Sequence, residues 1–106
     1  MTGAVWKPAC AVDAVAKEDV LRFEDGGRVL AIYRTADDRF FASDGLCTHE
    51  QADLTEGLVT GTIIECPKHN GRFDFVTGKA KRRPACIDLK IYPVRVENDV
   101  VLVLID

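Results

Sequence analysis

Both histidines of this chain lie within three residues of a cysteine. His49 ends Cys47-Thr48-His49, His69 ends Cys66-Pro67-Lys68-His69, and sixteen residues separate the two groups. Thiolate and imidazole are the side chains that bind borderline and soft metal ions. Each pair closes a short chelate arm, and the long spacer brings the arms together only if the fold does. Pro67 inside one arm and Gly45 and Gly71 beside the arms favour tight turns whose backbone N–H groups point at ligand sulfur. Any architecture for this chain has to carry two loops to one point in space.

Its 106 residues leave room for one core, and one domain is expected over 1–106, with the arms in a portion of about 44–84. With 47% hydrophobic and 29% charged residues the chain is neither low-complexity nor disordered. No apolar run approaches the roughly 20 residues that span a bilayer, so no membrane partner is expected. A net charge of −3 argues against a protein that neutralises nucleic-acid phosphates. Met1-Thr2-Gly3-Ala4-Val5-Trp6-Lys7-Pro8 has neither the basic region nor the apolar stretch of an export signal, which places the protein in the cytoplasm. In a reducing compartment four cysteines read as metal ligands or plain thiols, not as two disulfides.

Short β-type segments recur along the chain. Val20-Leu21-Arg22-Phe23, the turn Glu24-Asp25-Gly26-Gly27 and the run from Arg28 to Arg34 read as a hairpin. Asp37-Asp38 precedes Arg39-Phe40-Phe41-Ala42, and Thr62-Ile63-Ile64-Glu65 and Arg72-Phe73-Asp74-Phe75 are further strands, the last with Thr77-Gly78 behind it. Ile87, Leu89 and Ile91 alternate inward, Val94 and Val96 resume out of phase, and a bulge or edge at Tyr92-Pro93 accounts for the slip. Asn98-Asp99 turns into Val100-Val101-Leu102-Val103-Leu104-Ile105, whose unbroken apolar run predicts a strand covered on both faces. Helical pattern is confined to a single turn at Asp13-Ala14-Val15-Ala16-Lys17. The fold class is mostly β, a small sandwich or barrel-like stack of antiparallel sheets. The eighteen residues between Ser43 and Thr62 show little alternation and read as a functional loop.

Two Cys and two His also make a tetrahedral zinc set, although zinc fingers pair like ligands within an arm, whereas each arm here mixes them. Mixed arms permit two sulfide-bridged irons, one taking Cys47 and Cys66 and the other His49 and His69. With this spacing, C-x-H, sixteen residues, then C-x-x-H, the chain resembles the Rieske [2Fe-2S] ferredoxins of bacterial ring-hydroxylating dioxygenase systems, from its β start to the final Val-rich strand. The resemblance implies a Rieske-like stack of small antiparallel sheets with a two-loop cluster-binding subdomain. It also implies one [2Fe-2S] cluster per chain, with Cys47, His49, Cys66 and His69 as both its cofactor-binding and its metal-ligating residues, and no catalytic residue. The function implied is that of a soluble one-electron carrier, not an enzyme. Its partners would be an NAD(P)H-dependent flavoprotein ferredoxin reductase and a terminal ring-hydroxylating oxygenase of aromatic hydrocarbon catabolism, with the carrier itself a monomer. The alternatives are a zinc-stabilised structural or interaction domain, and the Rieske subunit of another oxidoreductase such as nitrite reductase.

Departures from the respiratory Rieske branch carry information. Ala52 and Lys68 stand where those proteins have a cysteine pair that ties the loops, and Gly71 and Phe73 stand where they have a serine and a tyrosine hydroxyl facing cluster sulfur. Loss of those donors implies a reduction potential near the bottom of the class range of about −150 to +300 mV. Neutral imidazole ligands act the other way, because the oxidised centre is then formally uncharged, whereas an all-thiolate cluster carries two negative charges. With both histidines used, no two-histidine, one-carboxylate oxygen-activating iron site remains. Gly26-Gly27 and Gly57 with Gly61 do not make a dinucleotide fingerprint.

Other residues read more plainly. Cys10 and Cys86 are small buried or half-buried thiols, and Arg83-Pro84-Ala85-Cys86 resembles the family's proline loop over the cluster. Asp25, Asp37, Asp38 and Asp99 serve turns, and Trp6 and Phe40 serve core packing. Glu50, Asp53 and Glu56 near the first arm, against Lys68, Arg72, Lys79, Lys81, Arg82 and Arg83 after the second, predict a tip of both signs whose basic group steers an acidic partner.

Overall fold

The computed structural model describes residues 3–48, 51–68, 70–83 and 87–106. Its strands in chain order are β1 Val5–Ala11, β2 Asp19–Asp25, β3 Arg28–Arg34, β4 Phe40–Asp44, β5 Leu58–Thr60, β6 Ile63–Glu65, β7 Arg72–Asp74, β8 Ala80–Arg82, β9 Ile91–Tyr92, β10 Val94–Glu97 and β11 Val100–Ile105. They form three antiparallel sheets, ordered β1-β11-β10, β2-β3-β4-β9 and β5-β6-β7-β8. The expected mostly-β stack is what the chain adopts.

The predicted hairpins form for local reasons. Gly26 and Gly27, at φ +56° and +83°, make the two-residue link between β2 and β3. Asn98 and Asp99, at φ +50° and +63°, do the same between β10 and β11. Positive φ at both central residues gives the turn whose twist matches the flanking strands. Asp25 does more than turn the chain: its carboxylate takes the Lys7 ammonium at 2.9 Å and so ties β1 to β2.

β3 is the middle of the stack. Leu30, Ala31, Ile32 and Tyr33 have no solvent exposure at all. Leu30 and Ile32 pack with Val101, Val103 and Ile105 in one core. Ala31 and Tyr33 pack with Ile64, Phe73 and Phe75 in the other. Side chains alternate across a strand, so only a strand with a layer on each face can bury four in a row. That place was expected for β11. Instead Val101, Val103 and Ile105 are buried while the alternate residues of β11 are half-buried, because β11 has a core on one side only.

Other expectations change in whole or in part. Ile87 is 63% exposed and Ile91 40%, so of that alternating set only Leu89 is buried. At Tyr92-Pro93 the edge reading holds and the bulge does not: the chain changes sheet at Pro93, from β9, an edge strand paired with β4, to β10, an edge strand paired with β11. The stretch read as an irregular loop also contains a 3-10 turn, Leu54–Glu56, and the strand β5, too short for its one buried residue, Val59, to show alternation. The single helical turn is a 3-10 turn at Val12–Ala14. Trp6 is half-buried under the Arg95 guanidinium, 4.4 Å from its ring centre, and lies outside both buried cores.

Tyr33 and Phe75 join the middle sheet to the sheet β5-β6-β7-β8, with rings stacked at 4.2 Å and 2°. Phe75→Ala is expected to cost about 3–5 kcal/mol and Phe75→Leu clearly less, read as shifts in the urea midpoint. Equal shifts for the two would show that the stacked aromatic face, and not the volume it fills, carries the whole cost.

Candidate metal centre

The two arms leave neighbouring sheets by the same local construction. After β4 the Gly45 N–H bonds the Val29 carbonyl at 2.8 Å, and Leu46 bridges Asp53. A side chain at Gly45 would meet Val29 Cγ1 at 2.7 Å and the Leu30 backbone at 3.1 Å, so glycine lets the first arm start this close to β3. The Cys47 N–H then reaches the carbonyl of Ala52 at 2.7 Å. In the second arm, between β6 and β7, the Cys66 N–H reaches the carbonyl of Gly71 at 2.7 Å. In each loop the residue just before the acceptor is left-handed, Gln51 at φ 58° and Asn70 at φ 59°. Asparagine tolerates that conformation and glutamine holds it less readily. The turn role expected of Gly45 and Gly71 falls to these two residues: Gly45 provides close approach, and the buried Gly71 provides the closing carbonyl.

This repetition sets the two cysteines in one place. Cys47 is 2% exposed and Cys66 1%, neither is in a disulfide, and both belong to the core that contains Ala31, Tyr33, Leu54, Ile64 and Phe73. His49 and His69 lie outside the described residues, as do Glu50 and Cys86. Two reduced sulfur donors on separate closed loops, shielded from water by one apolar wall, suit a soft, sulfur-bound metal group.

Asp53 supports the first arm from below and is not part of its surface charge. Its carboxylate accepts from the Thr55 N–H at 2.9 Å and the Thr55 hydroxyl at 2.5 Å, and it is ion-paired with Arg22 of β2. Burial pushes the Asp53 pKa up, but the bonds from Thr55 and Arg22 outweigh it and hold the carboxyl below its ordinary value. Beyond this turn Gly57 lies so close to β6 that a side chain there would sit 2.1 Å from the Glu65 carbonyl, just before Cys66. Across the tip, the Thr48 hydroxyl donates to the Ile87 carbonyl at 2.7 Å. Spacing gave no sign of that link, since 39 residues separate the partners. Cys10 is half-buried against the opposite core, and burial raises its thiol pKa.

Comparisons with known proteins agree with this construction. The Rieske [2Fe-2S] domain family model matches residues 5–93. A Ralstonia sp. protein named as the ferredoxin component of naphthalene 1,2-dioxygenase/salicylate 5-hydroxylase systems is 41% identical over 93 residues, 88% of each chain. The Sphingomonas yanoikuyae B1 ferredoxin structure superposes with a TM-score of 0.90 at 39% identity, over 96% of this chain and 100% of that one. A chain from a complex of reduced oxygenase and oxidized ferredoxin in carbazole 1,9a-dioxygenase gives 0.87 at 34% identity, over 93% and 92%. This chain belongs to the Rieske [2Fe-2S] domain family, and its cofactor is therefore a [2Fe-2S] cluster. The zinc reading is set aside.

Asp53 gives a pH test. A carboxylate with a lowered native pKa stabilises the fold above its unfolded value near 3.9, and that contribution disappears as the pH falls through the native value. Asp53→Ala should therefore cost about 1 kcal/mol at pH 7, as for a lost cap, and the gap from wild type should shrink below about pH 4. Thermal midpoints by circular dichroism check this, and a gap constant with pH contradicts it. Phe73, fully buried in the same core as both cysteines, gives a redox test. Phe73→Tyr should raise the midpoint potential by about 60 mV, the equivalent of about 1.4 kcal/mol of preference for the reduced state, measured by spectroelectrochemistry.

Proposed function

We propose that residues 1–106 form one Rieske domain whose Cys47 and Cys66 hold one iron of the cluster and His49 and His69 the other, within a cluster-binding portion of about 44–84. The observation that carries this reading is the duplicated arm: two loops closed by the same Cys N–H to carbonyl bond deliver two buried, reduced cysteines into one apolar wall. The group so held supplies a site that gains and loses one electron. The chain supplies the rest. Its buried cysteines exclude water from the sulfur side, and the closed loops keep donor positions fixed between oxidation states, which limits reorganisation.

The protein works as a ferredoxin, an electron-transfer component and not itself a catalyst. It takes electrons from an NAD(P)H-dependent flavoprotein reductase and delivers them to a ring-hydroxylating oxygenase; the oxygenase partner is supported by the relative at 41% identity, named as a dioxygenase-system component, and by the similar chain from an oxygenase–ferredoxin complex. It acts as a monomer in the cytoplasm, a compartment that suits reduced Cys10, Cys47 and Cys66. No helix among the described residues is long and apolar enough to cross a membrane.

Anaerobically purified protein should contain two irons and two sulfides per chain and be reduced by one electron. Cys47→Ser and Cys66→Ser should be colourless. His49→Cys and His69→Cys should lose the cluster or shift its reduced spectrum toward the all-thiolate type, while Cys10→Ser keeps the wild-type spectrum. A bleached Cys10→Ser protein, or one zinc per chain in place of iron, overturns the assignment.

A further inference from the structure

Positive charge is unevenly neutralised on this molecule. Among the described residues, Lys68 aside, every lysine and arginine outside residues 79–83 lies within 3.6 Å of a carboxylate oxygen. Lys79, Lys81, Arg82 and Arg83 are exposed, and among the described residues none of them is ion-paired; the carboxylate of Asp88, which lies against the run, accepts from the Ala80 N–H at 2.9 Å. Four bare cations in five consecutive residues stand out on a chain of net charge −3, whose remaining surface is correspondingly acidic.

Their position is as specific as their charge. β8 is an edge of the sheet that carries the second arm, and Arg82 lies opposite Arg72, the residue that follows the closing Gly71. Like charges placed opposite each other destabilise a strand pair; the Arg72 charge is offset by Glu65 at 2.7 Å, and that of Arg82 is not. Beyond Arg83 the chain reaches Ile87, whose carbonyl is fastened to Thr48 beside Cys47 and whose side chain is 63% exposed. Arg82 thus lies beside the second cysteine arm and Ile87 beside the first. Guarding a sheet edge against mispairing does not account for the bare charge. The edge strands β2 and β10 are also charged, yet Arg22 pairs with Glu24 and Arg95 with Glu97, and the unpaired run extends past both ends of β8.

We infer that residues 79–83, with the exposed Ile87 next to the Asp88 that bonds Ala80, are the docking surface for an acidic patch on the terminal oxygenase. The inference rests on the carrier reading above. The occupant follows from the similar ferredoxin chain solved in a complex with an oxygenase. A cationic rim on an otherwise acidic body orients the molecule as it approaches, so the cluster-bearing end arrives first.

The test uses the cluster-loaded protein with the oxygenase and reductase that sustain turnover with it. Stopped-flow transfer from the reduced protein to the oxygenase is followed across NaCl concentrations for wild type, Lys81→Glu/Arg82→Glu and Lys81→Gln/Arg82→Gln. Wild-type association should slow as salt rises. The Glu variant should associate about tenfold more slowly at low salt with a flattened salt dependence, and the Gln variant should fall between. Visible spectrum, potential and the rate at saturating oxygenase should not change. Carbodiimide should join Lys79 or Lys81 to oxygenase carboxylates. Variants with wild-type salt dependence, or a defect confined to the reductase step, overturn the docking surface and leave the carrier reading intact. Failure of reduced wild-type protein to pass an electron to any oxygenase overturns both.

Discussion

Burial of β3 on both faces is the constraint on which the rest of the structure depends. Leu30 and Ile32 hold one outer sheet, and Ala31 and Tyr33 hold the other, so a single strand fixes the spacing of all three layers. Tyr33 is completed by the Ser43 hydroxyl at 2.8 Å, which satisfies its phenol where water cannot reach, and burial raises its pKa well beyond the physiological range. Its ring stacks on Phe75, in the same core as Phe73 and the two cysteines. The cysteine arms are therefore attached to the most buried part of the molecule, although they project from its end.

Each arm then solves the same local problem. A loop that presents a cysteine inward must return its backbone to a strand within a few residues, and a buried N–H needs an acceptor. The bond from Cys47 to Ala52 and the bond from Cys66 to Gly71 do both. Asp53 and Leu54 support the first arm through a capped 3-10 turn, and the register of Glu65 with Arg72 supports the second through a strand pair. Loops closed by backbone hydrogen bonds under apolar cover suit electron transfer, where the donor atoms should move little between oxidation states.

The charge pattern divides in the same way. Most ionic groups are spent in pairs that join neighbouring strands or turns, such as Lys7 with Asp25 and Arg34 with Asp38. Pairs like these at the surface contribute little stability each, but they leave the body without a strong local field. The run at residues 79–83 is outside that accounting, at the rim of the cysteine-bearing end.

The ligand spacing, the hairpins at Gly26-Gly27 and Asn98-Asp99, and the mostly-β class were legible in the sequence because each depends on residues close together in the chain. The donor chemistry was legible too, since a mixed Cys and His arm has few uses. What only the tertiary structure decided depends on what lies opposite. β3 and β11 are both unbroken apolar runs, and periodicity cannot say which has a layer on each face. Pro93 signals an interruption, but only the neighbouring strands show that the chain changes sheets there. Asp53 and Lys81 look alike as charged loop residues, and only the fold brings Arg22 to one and leaves the other bare. Local chemistry is written in neighbouring residues, whereas burial and charge pairing are properties of distance in space.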